Sequence, residues 1–291
     1  MAVINTNVKA LFSQAALKLT ERSQQVSMQQ LSTGKRINSS RDDAAGMAIA
    51  TRMTQQIRSL NQAVRNAGDA ITLIQTAEGA TGQITDMLQR MRELAVQASN
   101  DTYSSTDRSA LQLEFDQLTS EITRISQNTR WNNMVVFNTN QSDGIIGSAT
   151  TSPAGISAFH VRLQVGILGQ ASDTISAYFQ NISAGTLLVS GLSLTSAAGA
   201  SSALTSIDNA IQTIDNFRAN LGAWSNRLSY AADNLTNIAQ NTEESRSRIL
   251  DADYAKTSAE LSRTQIIQQA ATAVLAQANT NQQSVLKLLQ G

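Results

Sequence analysis

The chain has 291 residues, 22 basic side chains set against 22 acidic ones, and 41% hydrophobic but only 4% aromatic residues. A balanced charge creates no long-range field that would draw it to nucleic acid or to an acidic membrane surface, and a chain without cysteine has neither a disulfide framework nor a thiolate metal site. No basic segment followed by an apolar run opens the sequence, and no run of about eighteen apolar residues occurs, so it reads as lacking both membrane insertion and a secretory leader; if exported, it uses another route.

Slender helical packing fits this composition better than a bulky globule. Near the start, Phe12, Ala15, Leu19 and Val26 fall at three- and four-residue steps, a weak amphipathic pattern that ends at Leu31. Gly34, lacking a Cβ, suits a left-handed C-cap, and Lys35 and Arg36 sit near the negative end of the helix dipole. The stretch INSSRDDAAG reads as a break and a restart, with Ser39 or Ser40 capping the new helix and Asp42 and Asp43 favouring its positive end. The strongest periodicity follows: Met53, Ile57, Leu60, Val64, Ala67, Ile71 and Ile74, then, after a phase slip, Ile84, Leu88, Met91, Ala95 and Ala98. One helix over 44–99 would be roughly 80 Å long. Such a rod needs partners along its length.

Beyond NDTYSSTD, a second helix carries Leu111, Phe115, Leu118, Ile122 and Ile125, and TRWNNMVVF has Asn-Asn before a β-branched and aromatic run, a hairpin signal. From about Asn138 to Ala200 glycine becomes frequent, Pro153 and His160 appear, and Asp143, Arg162 and Asp173 are the charged residues. FHVRLQVGI and TLLVSGLSL read there as strands. A third long helix begins near Ser201 with Leu204, Ile207, Ile211, Ile214, Leu221, Leu228 and Leu235. From Leu250 an apolar stripe runs through Tyr254, Leu261, Ala271, Leu275, Ala278, Val285 and Leu289 almost to the last residue.

The expected fold is mainly α: a long antiparallel helical hairpin, or coiled-coil bundle, built from the N- and C-terminal segments, with a small β-rich insert at its tip. Residues 1–43 with 250–291 form a terminal coiled coil, 44–137 with 201–249 the long-helix bundle with its hairpin, and 138–200 a variable, surface-exposed insert. The two extremities hold too few large apolar residues to make a core by themselves, so identical neighbours are expected to complete them. Leu261, Ala271, Leu275, Ala278, Val285 and Leu289 are the expected polymerisation seam.

Signs of chemistry are weak. Adjacent residues on a helix point about 100° apart, so Asp42–Asp43 and Glu243–Glu244 read as helix-start or solvated charges before they read as catalytic pairs. Asp251 and Asp253 join Glu243 and Glu244 in an acidic cluster interleaved with Arg246 and Arg248, without the spacing of a calcium loop. A single histidine makes no usual zinc site, and no nucleophile elbow supports a Ser-His-Asp set. Trp131 and Trp224 read as packing anchors. No catalytic, cofactor or metal site is expected.

MAVINTN at the start, LSTGKRINSSRDDAAGMAIA at 31–50, LQRMRELAVQASN at 88–100 and SRILDADYAKTSAELSRTQIIQQAATAVLAQANTNQQSVLKLL at 246–289 together resemble bacterial flagellin. The resemblance covers roughly 1–137 and 201–291. It implies a structural, non-enzymatic subunit that self-polymerises into the extracellular flagellar filament for motility: terminal helices lining an inner tube, the long-helix bundle forming an outer tube, the insert facing solvent. It also implies partners: other flagellin subunits, the filament cap and hook-junction proteins, a cytoplasmic export chaperone on the segment from about Leu250, and the type III flagellar export apparatus. The face matching Gln89, Arg90, Leu94, Gln97 and Glu114 is, by the same resemblance, bound by the flagellin-sensing Toll-like receptor of innate immunity and packs against the next subunit along the filament. A hook-filament junction protein shares the terminal pattern. Two weaker readings are a filament subunit with an enzymatic insert and a signalling coiled coil of the chemoreceptor type.

Overall fold

Helix boundaries in this chain are set by single side chains. In a computed structural model, which describes residues 7–137, 148–151 and 157–290, α1 (Val8–Thr33) starts with the Asn7 side chain accepting a bond from the Ala10 amide at 3.1 Å and stops at Gly34, whose φ of +68° is left-handed. Helix α2 (Ala44–Ser99, 56 residues) is the expected rod. Its cap differs from the sequence reading. Asp43, not Ser39 or Ser40, receives the Gly46 amide at 2.9 Å, while the Asp42 carboxylate collects the amides of Ser39 at 2.9 Å and Asn38 at 3.1 Å and ties up the preceding turn. Those backbone bonds, Ser39 first, hold the Asp42 carboxyl below the ordinary carboxylate range. Gly46 is required by close approach: a Cβ there would stand 2.7 Å from Cδ1 of the buried Ile37.

Helix α3 (Ser105–Asn128) opens with a capping box between Ser104 and Asp107. The two-residue strands β1 (Arg130–Trp131) and β2 (Met134–Val135) follow, joined by Asn132 and Asn133 with φ of +47° and +63°, the mirror-type turn that Asn-Asn favours. Next come β3 (Ser148–Thr151), β4 (Ser157–Gln164), a 3-10 turn (Ala171–Asp173) and β5 (Thr174–Gln180), an antiparallel sheet in the order β3-β4-β5. Helix α4 (Ala197–Leu250) and helix α5 (Tyr254–Gln290) complete the chain. The expected mainly α fold with a small strand-containing insert in the middle is the fold observed.

TLLVSGLSL, expected as a strand, is a run of turns instead. Leu188 and Gly191 adopt φ of +56° and +76°, and the alternation read as a strand comes from Leu187, Val189 and Leu194 dipping into the core at successive reversals. The strand that pairs with β4 is TISAYFQ, with buried and half-buried residues alternating along it. Helix α4 starts a few residues before Ser201 because Ser196 caps it, accepting the Gly199 amide at 3.1 Å.

The chain forms two compact units, residues 58–239 and residues 1–57 with 240–291. In the first, α2, α3 and α4 enclose one core containing Ile84, Leu88, Met91, Leu94, Phe115, Ile122, Ile214, Phe217, Leu221 and Leu228. Val161, Ile175, Phe179 and Val189 of the insert belong to the same core. The Phe179 ring lies 6.3 Å from both Phe217 and Trp224, and Phe217 meets Phe137 edge-on at 6.2 Å. In the second unit α1 packs along α5.

Candidate assembly and recognition faces

On α1 the buried and half-buried row is Ala10, Ser13, Leu17, Thr20, Gln24, Ser27 and Leu31; on α5 it is Thr257, Leu261, Thr264, Gln268, Ala271, Leu275 and Ala278. Both rows step by three and four residues, as two helices in a coiled coil require. The Asn7 amide donates to the Ala278 carbonyl at 3.2 Å and the Tyr254 hydroxyl to the Leu31 carbonyl at 3.1 Å, pinning the pair near both ends. Leu261, Ala271, Leu275 and Ala278 of the expected seam therefore lie half-buried on the row that meets α1; the side chains of Val285 and Leu289 lie outside the described residues.

Most of the larger apolar side chains of this pair face away from it. Phe12 is 79% exposed and Ile266 67%, and Val8, Leu11, Leu19, Met28, Ile267 and Val274 are exposed with them. Of the stripe Phe12, Ala15, Leu19 and Val26 read from the sequence, the first three face outward and Val26 is half-buried, and the row that packs is richer in serine, threonine and glutamine.

On the outward face of α2, Gln89, Arg90 and Gln97 are exposed. The Arg90 guanidinium donates from Nε to Glu114 at 2.8 Å and from Nη1 to Glu93 at 2.9 Å, and these bonds, Glu114 first, raise its pKa further. The Gln97 amide donates to the Tyr103 hydroxyl at 3.1 Å. Four of the five residues expected on this face are brought together there. The fifth is not: Leu94 is 1% exposed, inside the core, because it falls between Met91 and Ala95 on the buried side of the helix. Sequence reasoning missed Val96, 49% exposed. It lies with Gln89, Arg92, Glu93 and Gln97 around an open hollow of about 510 Å³. Arg92 is held over one edge by Asp208 of α4 at 2.6 Å.

The acidic residues have structural partners. Glu243 pairs with Arg246 and Glu244 with Arg248; Asp251 accepts from the Ser247 hydroxyl at 2.7 Å; Asp253 caps α5 through the Ala255 and Lys256 amides at 3.0 and 3.1 Å. His160 stacks on Tyr178 across β4 and β5 at 5.2 Å. Trp131 donates from its indole to Thr72 at 3.2 Å. Among the described residues no three metal-ligating side chains converge, and no helix is long and apolar enough to cross a membrane.

The family model described as the bacterial flagellin N-terminal helical region matches residues 4–142, and the one for the C-terminal helical region matches 204–289. The chain belongs to the bacterial flagellin family. It is 39% identical to a flagellin from Halalkalibacterium halodurans over 287 residues, 99% of each chain. To the flagellar filament 33 kDa core protein of Treponema phagedenis it is 39% identical over 293 residues, again 99% of each. A crystal structure of Bacillus cereus flagellin aligns with a TM-score of 0.47 at 31% identity, over 61% of this chain and 94% of that one. The flagellin family is one of structural filament proteins.

Proposed function

We propose that this flagellin polymerises into the extracellular flagellar filament, serves motility and catalyses no reaction. The observation that supports this most directly is the outward display of Phe12, Leu19, Ile266 and Val274 on the terminal helix pair. Apolar surface of that extent marks an interaction site, and further copies of the same helix pair are the partner that a filament provides. In the filament, residues 1–43 and 250–291 line the inner tube, 44–137 with 201–249 build the outer tube, and 138–200 is the variable insert, rooted in the bundle core through Val161, Ile175 and Phe179 and facing solvent with its remainder. The filament cap and hook-junction proteins bound it at its two ends. Before export through the type III apparatus, the cytoplasmic chaperone holds the segment from Leu250.

The test is seeded growth: protein released by heat is added to short filament seeds and followed by electron microscopy. Long filaments built from this chain alone are expected. Seeds that stop after a short cap would instead make it a hook-filament junction protein. As a monomer, the chain presents Gln89, Arg90, Gln97 and Glu114 to the flagellin-sensing Toll-like receptor, with Leu94 beneath them holding the helix in place rather than touching the receptor. Reporter cells that respond equally to the wild type and to an R90A/E114A double variant would remove that part of the reading.

A further inference from the structure

All the sulfur of this chain is in methionine, of which there are seven, because cysteine is absent. Six of them, all but Met1, fall among the described residues, and they are sheltered unequally. Met91 is completely buried, and Met87 and Met134 pack half-buried against the same core. Met47 and Met53, near the start of α2, are half-buried. Met28 on α1 stands apart at 54% exposed. Helical phase puts it there: Ser27 is buried on the row that packs along α5, and the next residue along a helix is turned by about 100°. The Met28 thioether is thereby carried to the flank of the helix pair, on a stretch where Gln25 and Gln29 are exposed as well.

Exposure decides which sulfur an oxidant meets, since a hydroperoxide has to reach the thioether lone pair along the line of its O–O bond. The sulfur attacks the outer oxygen. An S–O bond forms as the O–O bond breaks, the sulfur gives up two electrons to become a sulfoxide, and the remaining oxygen takes the proton of the transferred one and departs as water or an alcohol. The chain has no thiol to consume the oxidant first. A flexible apolar side chain is replaced by a polar, chiral one, the change that disrupts apolar interfaces.

We propose that Met28 is the oxidation-sensitive site of this flagellin, and that its sulfoxide, formed by a hydroperoxide in the unassembled subunit, opposes polymerisation. The inference rests on the filament reading above, in which further copies cover the terminal helix pair. Assembly and oxidation then exclude one another. Burial in the filament shields the sulfur, and oxidation before assembly leaves a polar group whose water must be stripped away at the contact between subunits.

The full chain is treated with hydrogen peroxide either as subunits or as filaments, then read by peptide mass spectrometry and by seeded growth. In subunits the peptide carrying Met28 is expected to gain one oxygen ahead of those carrying Met87, Met91 and Met134, and in filaments to gain it far more slowly. Burial of a methionine corresponds to about a tenfold change or more in equilibrium, so oxidised subunits should need a concentration higher by about that factor to grow. M28L, which lacks the sulfur, should grow at the wild-type concentration with or without peroxide, and M28Q should behave as oxidised wild type with no peroxide added. Core methionines oxidised as fast as Met28, Met28 oxidised as fast in filaments as in subunits, or oxidised subunits growing at the untreated concentration would overturn the proposal. So would peroxide-treated M28L that loses growth as the wild type does, or M28Q that grows normally. Untreated wild-type protein that never extends a seed would instead remove the filament reading beneath it.

Discussion

The central and terminal units of this flagellin spend their apolar residues in opposite ways. In residues 58–239 large side chains point inward: Phe115, Phe137, Phe179 and Phe217 are all but completely buried. In the terminal pair the helices meet through leucines spaced among alanine, serine, threonine and glutamine, with no aromatic residue on either row, and Phe12, Ile266 and Ile267 face outward. Both are helix bundles with heptad-like spacing. Periodicity thus reports that a helix has a packed row, and the volume of the residues on that row reports whether the unit is finished in one chain.

Breaking that contrast should produce its largest effect on assembly. Phe12→Asp combined with Ile266→Asp puts two charges into the outward rows; loss of sedimentable filaments is expected with the melting of the central unit unchanged by circular dichroism, and filaments of normal yield would mean these rows are not the seam. The opposite lesion is Phe217→Ala. Truncating a buried phenylalanine costs about 3–5 kcal/mol, so urea unfolding should shift to a markedly lower midpoint, and a shift of only a few tenths would deny Phe217 its place at the centre of the core. Asp43→Ala removes the α2 cap, for which about 1 kcal/mol is typical; amide exchange at Gly46 and Met47 should accelerate while exchange in α3 does not.

The smallest expected effect depends on pH. The Ser104 hydroxyl, then its amide, hold the Asp107 carboxyl below the ordinary carboxylate range. A depressed pKa means that the capping box contributes above the unfolded-state pKa and is lost as pH falls through the folded one. The first turn of α3 should therefore lose amide protection as pH is lowered from about 5 to about 2, and D107N should abolish that dependence at this helix start alone. Equal pH sensitivity in D107N would assign the effect to other carboxylates.

Much of this was legible in the residues. The span of α2, the three-helix bundle, Gly34 as a left-handed stop and the Asn132–Asn133 turn follow from periods of 3.6 and from backbone demands that few residues meet. The cap of α2 was not, because Ser39, Ser40, Asp42 and Asp43 can all accept an amide and only the path of the turn selects Asp43. The packed row of α1 escaped notice since a row of Ser13, Thr20, Gln24 and Ser27 looks like a solvent face until a second helix of the same kind lies on it. TLLVSGLSL was misread because alternation is shared by strands and by successive tight turns, and Leu188 at positive φ carries no mark in a sequence. Leu94 was placed on the α2 face by resemblance, whereas its helical phase, three residues after Met91 and one before Ala95, already pointed inward.

The breaks between helices are joined to one another. Lys35 bridges Asp251 in antiparallel fashion, the Arg36 amide donates to Leu250 at 2.7 Å, the Ala252 amide to Gly34 at 2.9 Å, and the Arg36 guanidinium to Ile249 at 2.6 Å. Two chain segments that would each be a loose hinge form a single clasp. Load applied to one of these segments is passed to the other through the bonds that join them.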